Sequence, residues 1–149
     1  MLSRLTGMAA GLAVSAAVLV AAPSAFAAET VAVKLVGERG GKMSIELDKA
    51  SVPAGEVTFK VVNIAKNTPH EMVVIKLDSA GQKLKVDPDT NKVDESKLKS
   101  LGEVEGLKAG QSGDLKVQLE PGNYELICNY KGHVMAGMVV PFTVKAASS

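Results

Sequence analysis

Apolar and polar residues alternate along several short segments of the chain, as they do in strands that bury one face. Residues 115–119, LKVQL, alternate most strictly. Turn residues such as Gly40–Gly41 and Pro53–Gly55 separate these segments. Residues 73–75 form a continuous apolar run, which predicts a more central strand. The pattern predicts seven strands, at residues 31–36, 43–47, 57–62, 71–77, 114–119, 124–128 and 138–144.

Seven short strands separated by turns predict an all-β fold, an antiparallel sandwich. Pro141 lies inside the last predicted strand, and we expect an edge position or a bulge there because proline cannot donate a hydrogen bond to a neighbouring strand. Residues 78–110 break the alternation and are polar and charged. We interpret them as an excursion between strands. Within it, residues 94–101 begin with acidic side chains and continue with lysines, which predicts a short helix.

The first 27 residues have the pattern of a secretion signal. Arg4 precedes the apolar segment 8–22, and Ala25–Ala27 fits the small-x-small cleavage pattern. We expect residues 1–27 to be a signal peptide and residues 28–149 to form one domain. The protein is therefore expected to be periplasmic or otherwise exported, with no stable membrane insertion once the signal is removed.

Charge and composition narrow the choice of partners. Removal of the signal takes away only Arg4, so the formal net charge falls from +1 to zero. Lysines and acidic residues are interleaved, and tryptophan is absent. A chain without a basic run and with few aromatic side chains is not expected to bind nucleic acid. We expect a monomer.

The chain contains a single cysteine, Cys128. It cannot form an internal disulfide, and an exposed free thiol is a liability in an oxidising compartment. Three interpretations remain: a buried inert side chain, a disulfide to another chain, or a thiolate held by a metal ion.

The residues around the cysteine favour the metal. Residues 128–138, CNYKGHVMAGM, contain one of the two histidines and two of the six methionines. His70, Cys128, His133 and Met138 together use every histidine and the only cysteine of the chain. Two imidazoles, a thiolate and a weak thioether are the ligand set of a blue-copper site, since Cu(I) favours soft sulfur and imidazole suits Cu(II). One copper ion is therefore predicted, and zinc is the alternative ion because it also accepts cysteine and histidine.

Residues 124–138 resemble the C-terminal copper loop of the cupredoxins, the small blue-copper proteins of the plastocyanin and azurin type. The ligand order is the family's, and the spacing C-x4-H-x4-M is similar to that of auracyanin and rusticyanin. Asn63 and residues 70–74 resemble the family's first histidine segment. The resemblance implies a Greek-key β-sandwich of about seven to eight strands that carries single electrons. By this resemblance the copper ligands are His70, Cys128, His133 and, in the axial place, Met138.

Two residues of the loop depart from the family's pattern. Lys131 stands where azurin-like loops usually carry proline, and we hypothesise that its charge raises the reduction potential, because a nearby cation disfavours the more oxidised metal. Met135 is a second thioether that competes for the axial place, although the family spacing favours Met138.

The resemblance also implies where partners dock. In cupredoxins the second loop histidine usually reaches an apolar patch that contacts redox proteins. We therefore expect redox partners to dock near His133, on a patch formed by Pro69, Val134, Met135 and Ala136.

Polar residues beside the ligands are candidates to hold them in place. Glu71 and Asn129 directly follow His70 and Cys128, so their backbone groups can tie the two ligand segments together. Asn63 can do the same through its side chain. An ordinary structural role is the alternative for each of them.

The sequence thus predicts an exported mononuclear type 1 copper protein that carries one electron at a time and is not an enzyme. The alternative is a periplasmic copper-binding carrier or copper-resistance protein of the same fold. A copper oxidase or nitrite-reducing enzyme needs a second copper site, and no histidine remains for one. A structural or adhesive β-sandwich with an incidental thiol is the remaining alternative.

Overall fold

A computed structural model describes residues 27–146 of the chain. The predicted signal peptide, apart from Ala27, lies outside the described residues. The described part contains one 3₁₀ turn, Glu95–Lys97, and eleven strands. The strands are β1 Glu29–Val36, β2 Ser44–Leu47, β3 Ser51–Pro53, β4 Gly55–Asn63, β5 His70–Lys76, β6 Val86–Asp87, β7 Lys92–Val93, β8 Lys99–Leu107, β9 Ser112–Leu119, β10 Gly122–Ile127 and β11 Val139–Lys145. No helix within residues 27–146 has the length and apolar character needed to cross a membrane.

Nine of the strands form two sheets, which confirms the predicted all-β sandwich. One sheet has the order β2-β1-β4-β9 and the other the order β3-β11-β10-β5-β8. The chain passes repeatedly from one sheet to the other, and β6 pairs with β7 in a separate hairpin. Most neighbours are antiparallel as predicted, but β1 runs parallel to β4, and β3 runs parallel to β11.

The core lies between the two sheets and follows the alternation in the sequence. Every second residue of β1 and β4 is buried, and these side chains meet those of β10 and β11. Phe59 and Phe142 pack edge to face across the sandwich, with ring centroids 5.4 Å apart. Each buried methylene group stabilises the folded state by about 0.8 kcal/mol. The packing of the two sheets against each other is therefore the main stabilising term.

Strand β5 is buried on both faces, as its continuous apolar run predicted. Its outer face presents Val73 and Ile75, which form a second apolar cluster with Ile127 and Val93. Val93 belongs to β7, so residues 78–98, the part of the predicted excursion that precedes β8 (hereafter the excursion), fold over the outside of the sheet. The excursion therefore covers apolar surface that a simple two-sheet sandwich would leave in water.

Residues 94–107 differ from the prediction. The expected helix is reduced to the 3₁₀ turn, which Asp94 caps by accepting a hydrogen bond from the Ser96 backbone N–H. The chain then extends into β8, which pairs along the edge of β5. Backbone pairing to a buried strand outweighs a weak local preference for helix. The edge position predicted for Pro141 is confirmed. Pro141 pairs with β10 on one side, and on the other side β3 pairs only with residues 143–145 of β11.

Candidate metal centre

The four predicted ligands come together at one end of the sandwich. His70 is the first residue of β5, Cys128 directly follows β10, and Met138 directly precedes β11. His133 lies in the loop between these last two strands. All four are buried: His70, Cys128 and Met138 are fully enclosed, and His133 is 4% exposed.

The donor atoms of three of these residues converge on one place. The Nδ1 atoms of His70 and His133 are 3.2 Å apart, and the Cys128 Sγ lies 3.3 Å from Nδ1 of His133 and 3.9 Å from Nδ1 of His70. No other cluster of three histidine, cysteine or acidic side chains within residues 27–146 has this metal-binding arrangement. The sequence prediction paired residues nearly sixty positions apart, and the fold brings them into contact.

This arrangement fits one transition-metal ion. Ligand atoms about 2.0–2.3 Å from a common centre lie about 3–4 Å from one another, as the three donors do here. Imidazole nitrogen and thiolate sulfur suit copper in both of its charge states. The three donors thus meet the requirements of a mononuclear copper site in number, type and separation.

The ring of His70 is fixed from behind. Its Nε2 donates a hydrogen bond to the Gly37 backbone carbonyl, 3.0 Å away, which leaves the Nδ1 lone pair turned toward the centre. Gly37 has φ of +113°, and a side chain there would strike the backbone of Lys42 and Met43. The turn after β1 must therefore carry glycine to bring this carbonyl under the histidine.

The turn before His70 is tied down by two polar side chains. The Asn63 amide donates to the carbonyls of Thr68 and Leu107, at 2.9 and 2.8 Å, and its oxygen accepts from the Ala65 N–H. Glu38 accepts hydrogen bonds from the Thr68 hydroxyl and from the Lys66 N–H. Asn63 therefore ties the turn before His70 to the end of β8, and not to the Cys128 segment as the sequence predicted. The role of Glu38 was not predicted.

The Cys128 thiol is buried, so its negatively charged form needs a nearby positive charge to be stable. Burial raises the pKa of its thiol to about 11, because a desolvated thiolate is unstable. The Glu71 backbone N–H points at the sulfur from 3.4 Å and opposes this rise. A thiolate here is stabilised by that donor and by a bound metal ion together. The contact also confirms that the Glu71 backbone links the two ligand segments.

The loop from Cys128 to Met138 is closed on itself by backbone hydrogen bonds. The Cys128 N–H donates to the Met138 carbonyl, and the Met138 N–H donates to the His133 carbonyl. Gly137 has φ of +113°, and a Cβ built on it would lie 2.5 Å from the Met43 carbonyl oxygen. The segment before β2 thus presses against the loop at a point where only glycine fits.

The excursion reaches the same loop through Asn129. Its side-chain oxygen accepts from the Val93 N–H at 2.7 Å, and its amide donates to the Val93 carbonyl at 2.8 Å. The amide therefore pairs with Val93 as a neighbouring strand would. Asn91, which has φ of +53°, accepts a hydrogen bond from the Gly132 N–H. These contacts attach the loop between Cys128 and His133 to the outer hairpin, which the sequence did not indicate.

The pKa values of His133 and Glu71 are also shifted. Burial, together with the nearby His70 and Arg39, lowers the pKa of His133 to about 4. The imidazole is consequently neutral at physiological pH, which is the form that binds a metal. Burial and the neighbouring Glu95 raise the pKa of Glu71 to about 7.

The two methionines of the loop differ sharply in exposure. Met138 is fully buried, as the other candidate ligands are. Met135 is 66% exposed and belongs to the surface of the molecule. Lys131 is also exposed. Met135 is therefore part of the outer surface of the loop, together with Lys131.

A sandwich of two sheets with two histidines and a cysteine enclosed at one end defines a small copper-binding β-protein. The sequence profile of the copper binding proteins of the plastocyanin/azurin family matches residues 31–145. The chain belongs to this family, and copper is accordingly its metal. The predicted resemblance to cupredoxins is confirmed. A comparison with the sequences of curated proteins gave no match.

Solved structures share the fold at low sequence identity. Reduced rusticyanin is 20% identical, with a TM-score of 0.61 and coverage of 79% of both chains. Rusticyanin from Thiobacillus ferrooxidans is 18% identical, with a TM-score of 0.59 over 79% of this chain and 77% of that one. Dithionite-reduced auracyanin from the photosynthetic bacterium Roseiflexus castenholzii is 20% identical, with a TM-score of 0.53 over 84% of this chain and all of that one.

Proposed function

We propose that the protein is an exported, mononuclear type 1 copper protein that carries one electron at a time between redox partners. In this proposal His70, Cys128, His133 and Met138 would hold the copper ion. The convergence of two Nδ1 atoms and the only thiol in one buried place supports it most directly. When bound there, copper supplies a centre that alternates between Cu(II) and Cu(I).

The protein's contribution is to keep the ligands where they are in both charge states. His70, Cys128 and Met138 lie at the ends of strands, and hydrogen bonds among backbone groups close the loop that carries His133. Side chains held in this way move little when the charge at the centre changes, so the barrier to electron transfer stays low. Their burial also keeps water and small ligands away from the centre, which suits a carrier better than an enzyme.

The experiment is to add Cu(II) to the purified protein and record its absorption spectrum. An intense blue band from charge transfer between thiolate and copper is expected, and Cys128→Ser is expected to abolish it. Met135→Leu is the matched control, because it removes an exposed thioether and should leave the band intact. A pale sample whose spectrum is the same in Cys128→Ser contradicts the proposal.

Copper handling without electron transfer makes a different prediction. A carrier or resistance protein should release its ion readily to a chelator, and its copper should exchange ligands when reduced. The enclosed site, with His70 anchored at Gly37 and the loop closed on itself, favours retention. Slow loss of copper to a Cu(I) chelator together with fast reversible reduction supports the electron carrier, and fast loss supports the alternative.

We propose further that residues 1–27 are removed on export, leaving residues 28–149 as one copper-binding domain. The family match from residue 31 to residue 145 lies within this range. Mass spectrometry of the protein recovered from the periplasm should give a chain that begins at Ala28. Recovery of the uncleaved chain in the membrane fraction contradicts this boundary.

Lys131 is proposed to raise the reduction potential of the site. It is exposed on the ligand loop, two positions before His133. Its positive charge favours the reduced ion over the oxidised ion. Potentiometry on Lys131→Gln and Lys131→Pro should show a lower potential in both variants, and an unchanged potential refutes the idea.

A further inference from the structure

Four loops enclose the copper end of the molecule, and their charges are strongly unequal. They are residues 37–43, 64–69, 108–111 and 128–138, which connect the strand ends nearest the ligands. These loops carry five cationic side chains and one acidic side chain, although the chain after signal removal has no net charge. The cationic residues are Arg39, Lys42, Lys66, Lys108 and Lys131. At the opposite end, the turn Asp48–Ala50 and the turn Glu120–Pro121 contain two acids and one lysine.

Contact ion pairs do not neutralise this positive end. Within residues 27–146, the six salt bridges involve lysines outside these four loops. The one acidic residue of the loops, Glu38, is occupied by the backbone of the turn before His70 and by the Thr68 hydroxyl. The five cations are therefore available to a charge that approaches from outside.

Two of these cations frame the exposed edge of the loop histidine. A shallow depression at this end is lined by Arg39, Pro69, Asn91, Tyr130, Lys131 and His133. Arg39 comes from the turn after β1 and Lys131 from the ligand loop, so they enter the depression from different segments of the chain. Met135 adds an exposed apolar side chain in the same loop. The depression is thus lined by two cations and by no acidic side chain.

Acidic residues lie to one side of this end. Glu103 and Glu105 are on β8, and Glu95 is in the excursion. The copper end therefore has a boundary between a basic crest, made of the five cations named above, and an acidic flank.

We propose that the basic crest docks a redox protein that presents an acidic surface around the group with which it exchanges electrons. That the partner is a redox protein rests on the proposed electron-carrier function. That its surface is acidic rests on the positive charges of the basic crest. Opposite charges raise the rate of encounter, and an interface with few apolar contacts still separates quickly after transfer.

An anionic membrane surface fits the crest less well. A flat surface that touches the crest also approaches the acidic flank on β8, and the like charges repel. A convex acidic protein can rest against Arg39 and Lys131 and avoid that flank. The depression beside His133 also suits a side chain from a partner better than a sheet of head groups.

The first test uses small redox reagents of opposite charge. The blue Cu(II) protein is reduced with hexacyanoferrate(II), and the Cu(I) protein is oxidised with tris(phenanthroline)cobalt(III). The two rates are followed as a function of ionic strength. The rate with the anionic reagent should fall as salt is added, and the rate with the cationic reagent should not. Arg39→Gln with Lys131→Gln should slow the anionic reagent roughly tenfold at low salt. Arg39→Gln alone should account for part of this loss, independently of any change in potential at Lys131.

The matched control removes two positive charges from the outer face of the other sheet. Lys60 and Lys116 lie on β4 and β9 and are paired with Asp114 and Glu56. Lys60→Gln with Lys116→Gln changes the net charge equally but should leave the rate with hexacyanoferrate(II) within a factor of two. Equal slowing by the two double variants refutes a localised docking surface.

The second test detects binding without electron transfer. A short polyglutamate peptide is titrated into the isotope-labelled Cu(I) protein, and polylysine serves as the comparison. Backbone amide shifts should concentrate at residues 39, 66 and 131–135 with polyglutamate and should disappear in the Arg39→Gln, Lys131→Gln variant. Shifts spread evenly over the surface refute the proposal. Binding to phosphatidylglycerol vesicles that exceeds peptide binding and depends on the same two residues overturns it in favour of a membrane.

The two tests separate this proposal from the electron-carrier function. If polyglutamate binds at the crest but the protein exchanges no electrons with either reagent, the crest recognises acidic partners and the redox identity of those partners is refuted. If electrons are exchanged equally with both reagents and polyglutamate does not bind, the carrier function stands and the acidic partner is refuted.

Discussion

His70 and His133 present the same ring atom to the same place, but the protein holds them in different ways. His70 begins a strand with neighbours on both sides, and its Nε2 donates to the Gly37 carbonyl. His133 lies in a loop, and within residues 27–146 its Nε2 has no hydrogen-bond partner. Its position depends on backbone hydrogen bonds and on packing against Tyr130, with ring centroids 5.7 Å apart.

This difference separates two tasks within one site. The strand-held histidine gives the centre a fixed point, supported by Asn63 and the turn that precedes it. The loop-held histidine lies between the buried centre and the depression where Arg39 and Lys131 meet the solvent. A carrier needs both, because the ion must be held rigidly and electrons must still reach a partner at the surface. Substitutions on the two sides should therefore have different effects.

The largest effect is expected on the loop side, from Gly137→Ala. The added Cβ meets the Met43 carbonyl oxygen at 2.5 Å, and φ of +113° is unfavourable for alanine. We expect the free energy of unfolding to fall by about 3 kcal/mol, measured by urea denaturation of the copper-free protein. Gly132→Ala is the matched control, because it also has positive φ but open space around its Cβ. It should cost about 1 kcal/mol, and equal losses contradict the role given to Met43.

The next effect is expected on the strand side, from Asn63→Ala. The substitution leaves the buried carbonyls of Thr68 and Leu107 and the N–H of Ala65 without their partner. We expect a loss of about 2 kcal/mol in the free energy of unfolding, together with faster release of copper to a chelator. Asn63→Asp keeps the acceptor for Ala65 but turns an oxygen toward the two carbonyls, so it should release copper at least as fast as Asn63→Ala. Unchanged release in both variants means that the turn before His70 does not need this support.

A smaller effect is expected from Asn129→Ala, which detaches the excursion from the ligand loop. The substitution removes both hydrogen bonds to Val93, and we expect a loss of about 1–2 kcal/mol. Hydrogen exchange should accelerate at the Val93 and Gly132 amides, with little change in β4. Thr90→Ala in the same hairpin removes only an exposed hydrogen bond to Asp87 and serves as the control. Acceleration confined to Val93 would show that Asn91 holds the loop without help from Asn129.

The smallest effect is expected from Glu38→Gln, since this side chain is only partly buried. Hydrogen bonds from Thr68 and from the backbone lower its pKa below the usual value of 4.5. A lowered pKa in the folded state stabilises the protein above the unfolded value, and this contribution is lost as the pH falls through the lowered value. The variant should therefore be slightly less stable than the parent at neutral pH, and the difference should shrink in acid.

Glu120→Gln provides the comparison for Glu38. It removes an equal charge at the opposite end, where the carboxylate is paired with Lys76. Both variants should lose a little stability, but only Glu38→Gln should speed copper release, because Glu38, unlike Glu120, helps to hold the turn before His70. If the two variants release copper at the same rate, Glu38 acts only through its charge and does not hold the turn.

Much of the fold could be predicted because one side of most strands faces the core. The alternation of apolar and polar residues in β1, β4 and β9 can be recognised in the sequence, and so can the continuous apolar run of β5. β8 was not predicted, because seven of its nine residues are not buried. These residues form a strand because they pair with β5. That pairing cannot be predicted from the local sequence. The helix expected at residues 94–101 failed for the same reason.

The candidate site divides in a similar way. The residue types at 70, 128, 133 and 138 and their spacing predicted a copper site, since few other functions need two histidines, a cysteine and a methionine in that order. The Gly37 carbonyl, the Glu38 carboxylate and the pairing of Asn129 with Val93 carried no such signal. Backbone carbonyls look alike in every sequence, and a side chain such as Asn129 shows its role only when its partner is known.

The sequence by itself determined the class of fold, the metal and the candidate ligands, because these depend on residue types and on periods of two along the chain. The tertiary structure decided which histidine is anchored and which meets the surface, and it gathered five cations from four separate loops around one end. Charges that are evenly spread along the chain become a basic crest only when the strands return those loops to the same end. Distance in space, which sets both coordination and electrostatic attraction, is fixed by that folding.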